Sequence, residues 1–168
     1  PIFWATGACM LVRTKVYKEL DGLDANFFAH QEEIDLCWRI YNSTSCTIHP
    51  TPILYLPFSK VYHVGGGTLG YENPRKTFLN FRNNLLMLRK NLPISRLWWV
   101  MVVRFFMDYM AALQMLLTKQ LSNAKAVFQA RCAYHKMKHN YTISHCATPH
   151  YITPRSIVWD FYVRGKRK

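Results

Sequence analysis

At 168 residues, half of them hydrophobic, the chain is long enough to bury one ordinary core, and its net charge is +13. Five scattered cysteines without a CxxC pair argue against a disulfide framework and suit a reducing cytoplasm. The charge is uneven: residues 1–74 hold seven acids against five Lys or Arg, net −2, whereas residues 75–168 hold 17 Lys or Arg against Asp108 and Asp160, net +15. An anionic partner is therefore expected for the second half only. Aromatic and large apolar residues are dense there too, which fits a membrane surface better than nucleic acid.

The chain opens on Pro1 and an apolar Ile2-Phe3-Trp4, and reads as the C-terminal part of a longer protein. Residues 7–12 read as a buried strand, and residues 14–20 as a short helix stopped by Asp21-Gly22. From Glu32 the pattern is helical, with Ile34, Cys37, Trp38 and Tyr41 on one face and Asp35 and Arg39 as an i,i+4 pair on another. Residues 42–57 are rich in turn formers and include Asn42-Ser43-Thr44, a glycosylation acceptor without meaning in a cytosolic chain. Residues 60–64 alternate like a strand and stop at Gly65-Gly66-Gly67.

Beyond a break at Pro74, residues 77–92 form the pattern of an amphipathic helix. Pro93 then opens the longest apolar stretch, residues 97–117, interrupted by Arg104, Asp108 and Gln114. Each central charge costs about 2.5–3.5 kcal/mol on insertion, which disfavours a simple membrane span. At roughly 100° per residue, Arg96, Arg104, Asp108, Gln114, Thr118 and Lys119 fall within a sector of about 140°. That pattern suits a helix lying in a membrane interface, with Trp98 and Trp99 as anchors, and equally a helix packed into a bundle. A second helix is expected to run to about Lys138, followed by a mixed, basic segment ending in the solvated tail Gly165-Lys166-Arg167-Lys168.

Three constellations could carry chemistry. Adjacent acids Glu32, Glu33 and Asp35 can raise one another's pKa, as a general base requires, or can simply decorate a helix N-terminus. His63 before three glycines could ligate a divalent metal, with the glycine amides facing a phosphate; it could equally be a structural residue before a turn. Cys132, His135, His139, His145, Cys146 and His150 hold a possible zinc set, but their spacing matches no closed finger.

The order of these motifs adds information. Trp4-Ala5-Thr6-Gly7-Ala8-Cys9-Met10-Leu11-Val12-Arg13, Asp21-Gly22-Leu23-Asp24, Phe27-Phe28, Glu32-Glu33-Ile34-Asp35-Leu36-Cys37-Trp38-Arg39 and Val61-Tyr62-His63-Val64-Gly65-Gly66-Gly67-Thr68 together resemble family 2 glycosyltransferases of the bacterial, rhamnosyltransferase-like branch. Asn73-Pro74-Arg75-Lys76-Thr77 and Asn80-Phe81-Arg82-Asn83-Asn84 extend the resemblance to about Leu92.

The resemblance implies an α/β fold: the C-terminal, acceptor-binding part of a GT-A domain over residues 1–92, followed by a basic, helical, membrane-associating extension over residues 93–168. It implies inverting transfer of a sugar from a nucleotide-sugar donor to a glycan or lipid-linked acceptor, at the cytoplasmic face of the inner membrane. A divalent metal, Mg2+ or Mn2+, would take most of its ligands upstream, because no DxD occurs here. By the same resemblance Glu33 is the catalytic base, standing where the family usually has Asp, with Asp35 and Glu32 as further acids. Gly7 and Ala8 would lie beside the acceptor, His63 at the metal, and Gly65 and Gly66 at the diphosphate. The segment 42–57 is longer than the family pattern. The competing class is a non-catalytic basic module that binds a membrane surface or nucleic acid; the chemistry of the second half favours an anionic membrane, with no nucleic acid expected.

Overall fold

The computed structural model describes residues 2–45, 53–63, 73–143 and 164–165. Five α-helices organise them: α1 Thr14–Glu19, α2 Glu32–Ser45, α3 Pro74–Asn91, α4 Ile94–Leu117 and α5 Leu121–Met137. Two short 3-10 turns, Ala25–Phe27 and Lys138–Asn140, precede α2 and follow α5. α3 packs against α5 most extensively, α4 lies along α5, and α2 closes onto α3.

The helix ends follow local chemistry. Pro74 does not break the chain but starts α3, since its fixed φ suits the first helical position, and the Asn73 side chain accepts the Arg75 N–H at 2.9 Å. Arg89 and Lys90 complement the C-terminal dipole of the same helix. Leu92 then leaves the helix for extended backbone, and Pro93 sets the start of α4. α4 stops where the Thr118 hydroxyl turns back on the Gln114 carbonyl at 3.0 Å and Lys119 adopts a left-handed φ of 60°.

The core joins Phe27 from the loop before α2, Trp38 of α2, Leu85, Leu86 and Met87 of α3, Leu97 of α4, and Tyr134 and Tyr141 at the far end of α5. Phe3 covers one side, packing edge-on to Trp38 at 5.6 Å and stacked on Tyr41 at 5.7 Å. Apolar residues three and four apart on α2 and α3 supply this interior, so burial of one face explains why those helices persist.

The expectation of an α/β, GT-A-type fold is overturned: no β-strand forms among the described residues. A strand exists only when a neighbour completes its hydrogen-bond ladder. Residues 7–12, read as a buried strand, instead form a turn and an open extended run in which Leu11 is 99% exposed. Residues 60–63 alternate as expected but lie exposed and unpaired with any ladder. Their β-branched and aromatic residues give the strand pattern without supplying the partner.

α4 divides the polar sector read from its sequence: Arg96, Gln114, Thr118 and Lys119 are exposed, whereas Asp108 is buried. Asp108 is 1% exposed and turns inward between the Arg104 guanidinium, 2.5 Å away, and that of Arg131 on α5, 2.8 Å away. The Arg131 guanidinium also lies over the Phe105 and Tyr109 rings at 4.9 and 5.5 Å. The outward face carries Trp98, Trp99, Phe106, Met110, Leu113 and Leu117, all exposed. The helix is long and apolar enough to cross a membrane by length and composition. Its Arg104–Asp108 pair belongs to the bundle, and a broad hydrocarbon face belongs to the exterior.

Asp108→Ala leaves two guanidiniums converging without a counter-charge, and the expected loss is about 3–5 kcal/mol. Urea unfolding followed by far-UV circular dichroism measures it; an unchanged midpoint would show that the clasp contributes nothing.

Candidate functional site

The site is built at the start of α2, and the chain enters it under constraint. Asp24 caps the Ala25–Phe27 turn by accepting the Asn26 N–H at 3.1 Å. Phe28, His30 and Gln31 then all take left-handed φ values of 63°, 69° and 74°, where side chains larger than glycine are disfavoured. α3 holds this loop in place. The Asn83 side-chain amide, 0% exposed, donates to the carbonyls of Phe27, Ala29 and His30 at 2.9, 2.8 and 2.8 Å. Its own oxygen accepts from Arg82 Nε at 2.9 Å, and Arg82 Nη2 reaches the Asn26 carbonyl at 2.8 Å. A loop whose carbonyls would otherwise be buried without partners is thereby satisfied.

Glu32 and Glu33 leave that loop in the first turn of α2. Each is half-buried, and each has one carboxylate oxygen, Oε2, removed from water with no hydrogen-bond partner among the described residues; His30 Nε2 likewise has none there. Burial pushes the Glu32 carboxyl up, its own backbone amide opposes this, and the neighbouring Glu33 charge adds to the rise. Gly7 faces the Glu33 side chain: a Cβ placed there would meet Glu33 Cβ at 3.8 Å and Cγ and Cδ at 4.0 Å. The Gly7 and Ala8 turn, held by Thr6 Oγ1 accepting the Ala8 N–H at 3.4 Å, is exposed. The Glu33 carboxylate therefore sits beside an open turn that presents no bulky side chain, with Glu32 next to it in sequence.

Asp35 stands apart from this pair. It is 0% exposed, its Oδ2 accepting from Arg39 Nε at 2.7 Å and Lys90 Nζ at 3.1 Å, and its Oδ1 accepting from Asn91 Nδ2 at 2.8 Å. Lys90 also pairs with Asp24 at 2.9 Å. Arg39 reaches on to the Gly22 carbonyl at 2.7 Å. The i,i+4 pair read from the sequence is present, but as part of a buried network joining α2, α3 and the 20–24 loop. With both oxygens engaged and no path to solvent, Asp35 organises the fold.

His63 is exposed and makes no hydrogen bond or ion pair to another described residue. Gly65 and Gly66 lie outside the described residues. No group of three or more His, Cys, Asp or Glu that could hold a metal ion occurs among the described residues, so those residues do not by themselves fit a divalent metal. The same finding covers Cys132, His135 and His139; His145, Cys146 and His150 lie outside the described region.

Comparison with known proteins places this geometry in context. The chain is 29% identical over 94 residues to a low-salt glycan biosynthesis hexosyltransferase of Haloferax volcanii, covering 51% of this chain and 26% of that protein. It is 29% identical over 63 residues to an N-acetylglucosaminyl-diphospho-decaprenol L-rhamnosyltransferase of Mycobacterium tuberculosis, covering 38% of this chain and 19% of that one. The match thus spans about a quarter or less of the length of these curated relatives. No family model matches, and no solved structure matches. The distant relatives are glycosyltransferases, and at that coarse level a glycosyl-transfer role is consistent with them.

Two stability measurements separate site from scaffold. Asp35→Ala removes the shared partner of Arg39, Lys90 and Asn91, leaving Lys90 with Asp24 and Arg39 with the Gly22 carbonyl, and is expected to cost about 3 kcal/mol. Glu32→Gln should do the opposite at neutral pH. The folded pKa of Glu32 is raised above its ordinary 4.5, so the fold favours the protonated carboxyl; that contribution is complete below the unfolded value and lost as pH rises through the folded one. Glu32→Gln should therefore raise the urea midpoint at pH 7 and leave it unchanged well below the ordinary carboxyl range. Equal effects at both pH values would contradict the burial argument.

Proposed function

We propose that this chain takes part in glycosyl transfer from a nucleotide-sugar to a lipid-linked glycan acceptor, with Glu33 as the general base. What carries the reading is one observation: Glu33, beside the open Gly7 turn, keeps a buried oxygen without a hydrogen-bond partner among the described residues, as does the adjacent Glu32. Glycosyltransferase relatives make an acceptor hydroxyl the natural donor to such an oxygen.

In this reading the Glu33 carboxylate accepts the hydroxyl proton, and the freed oxygen attacks the anomeric carbon as the bond to the nucleoside diphosphate breaks, inverting the centre. Glu32, whose carboxyl is pushed up chiefly by burial, is the adjacent acid. Gly7 and Ala8 leave room for the acceptor. No step is assigned to a metal; an ion near His63 would need its other ligands from outside the described residues.

The exposed hydrocarbon face of α4 supports a peripheral position at the cytoplasmic membrane surface, where a lipid-linked acceptor is presented. Trp98 and Trp99, 6.2 Å apart at the start of the helix, are suited to the headgroup boundary. The inward Arg104–Asp108–Arg131 clasp ties α4 along α5, which supports a helix lying on the surface over one crossing it.

The test is transfer of radiolabel from nucleotide-sugars to polyprenyl-diphosphate-linked glycans in membranes that express the gene in its natural context. Glu33→Gln should lower turnover by about 10²- to 10⁴-fold while leaving thermal stability near that of the wild type. Turnover equal to wild type would remove Glu33 from the role, and a comparable loss confined to Glu32→Gln would move the role to its neighbour.

A further inference from the structure

The α3–α5 interface opens on one side into a groove of about 550 Å³, lined by Phe78, Lys125, Phe128, Gln129, Cys132 and Lys136, with Ala133 at its margin. The periodicity of α5 explains its shape. Lys125 and Lys136 are eleven residues apart, which returns them to the same side of the helix about 16 Å apart along its axis. Between them Phe128 and Cys132 face the same way, and Phe78 of α3 forms the opposite wall. The groove therefore has an apolar floor and a cation at each end.

Those cations are uncommitted. Neither Lys125 nor Lys136 forms an ion pair among the described residues, and both are exposed. Arg131, on the same helix, is by contrast fully engaged with Asp108. The groove also adjoins α4: the Phe128 ring that floors it meets the half-buried Tyr109 ring of α4 at 5.3 Å. A surface that presents α4 to hydrocarbon would bring the lysine-ended groove to headgroup depth.

We propose that this groove binds the phosphate headgroups of anionic membrane lipids, with Lys125 and Lys136 as the phosphate partners and Phe78 and Phe128 against the glycerol and first acyl carbons. Charge and adjacency select this occupant: the ends are cationic, the floor is apolar, and the neighbouring helix face is hydrocarbon. The proposal deepens the membrane-surface reading of α4 and rests on it for its biological setting, while the groove can be probed without a bilayer.

Two experiments on the full chain test it. In the first, sedimentation with vesicles of phosphatidylcholine, alone or mixed with phosphatidylglycerol, measures binding. Wild type should prefer the anionic vesicles, and Lys125→Ala and Lys136→Ala should each weaken that preference about fivefold. Trp98→Ala with Trp99→Ala should weaken binding to both compositions and leave the preference ratio intact. In the second, Cys132 and Cys9, both exposed thiols, are alkylated with N-ethylmaleimide and quantified by peptide mass spectrometry. Soluble dihexanoyl phosphatidylglycerol should slow modification of Cys132 and not of Cys9, with dihexanoyl phosphatidylcholine and inorganic phosphate far weaker. An undiminished anionic preference in the double lysine variant would overturn the groove and leave the α4 reading standing. So would absence of Cys132 protection, or protection as strong with inorganic phosphate, which would make the groove a site for free anions. Wild type that ignores every vesicle while short-chain phosphatidylglycerol still protects Cys132 would end the membrane reading and support the groove.

Discussion

A carboxylate removed from water must find partners for both oxygens, and Asp35 finds three of them on two helices: Arg39 on its own helix, and Lys90 and Asn91 on α3, with Lys90 continuing to Asp24. This requirement fixes how α2 can sit on α3. Rotating α2 by one residue would carry Asp35 about 100° away from Asn91 and leave a buried charge unpaired, at a cost of several kcal/mol. The apolar face of α2 and the ionic network therefore demand the same rotation.

The same helix that answers Asp35 also shapes the site. Asn83 and Asn91 are eight residues apart on α3, with Met87 between them at spacings of four, so they lie on one buried stripe. One asparagine holds the left-handed loop that leads into Glu32 and Glu33, and the other holds the acid that follows them. The pair of half-buried glutamates is thus bracketed by two rigid attachments to α3. Unpaired carboxylate oxygens at such a place disfavour the fold, and the surrounding satisfied network is what allows them to persist.

The helical part of the chain was legible because its signals are local. The 3.6-residue period of α2 and α3, the proline before α4 and the turn residues after α1 each act within a few positions of where they occur. The absence of strands was not legible, since alternation in residues 60–63 reports which residues favour extended backbone and not whether a neighbouring ladder exists. For α4 the sequence left an interfacial helix and a bundle helix open, because the partner of Asp108 that lies across the bundle, Arg131, is on a different helix. Asp35 was noticed, but its spacing to Arg39 could not disclose Lys90 or Asn91, which are 55 and 56 positions away. Asn83 did carry a signal: a polar residue on the apolar stripe of an amphipathic helix marks a buried hydrogen-bond obligation. Gly7 does lie beside Glu33, while the α/β fold expected to accompany the order of motifs does not appear among the described residues.

The inward clasp of α4 has one more consequence. With Arg104 and Asp108 both directed to the bundle, few charges remain along the exterior of that helix to keep copies of the chain apart. Two molecules meeting through Trp98, Phe106, Met110 and Leu117 would each hide hydrocarbon from water, so colloidal behaviour should hinge on what covers this face. Mild detergent should disperse the chain where salt, which acts mainly on charge, leaves it associated.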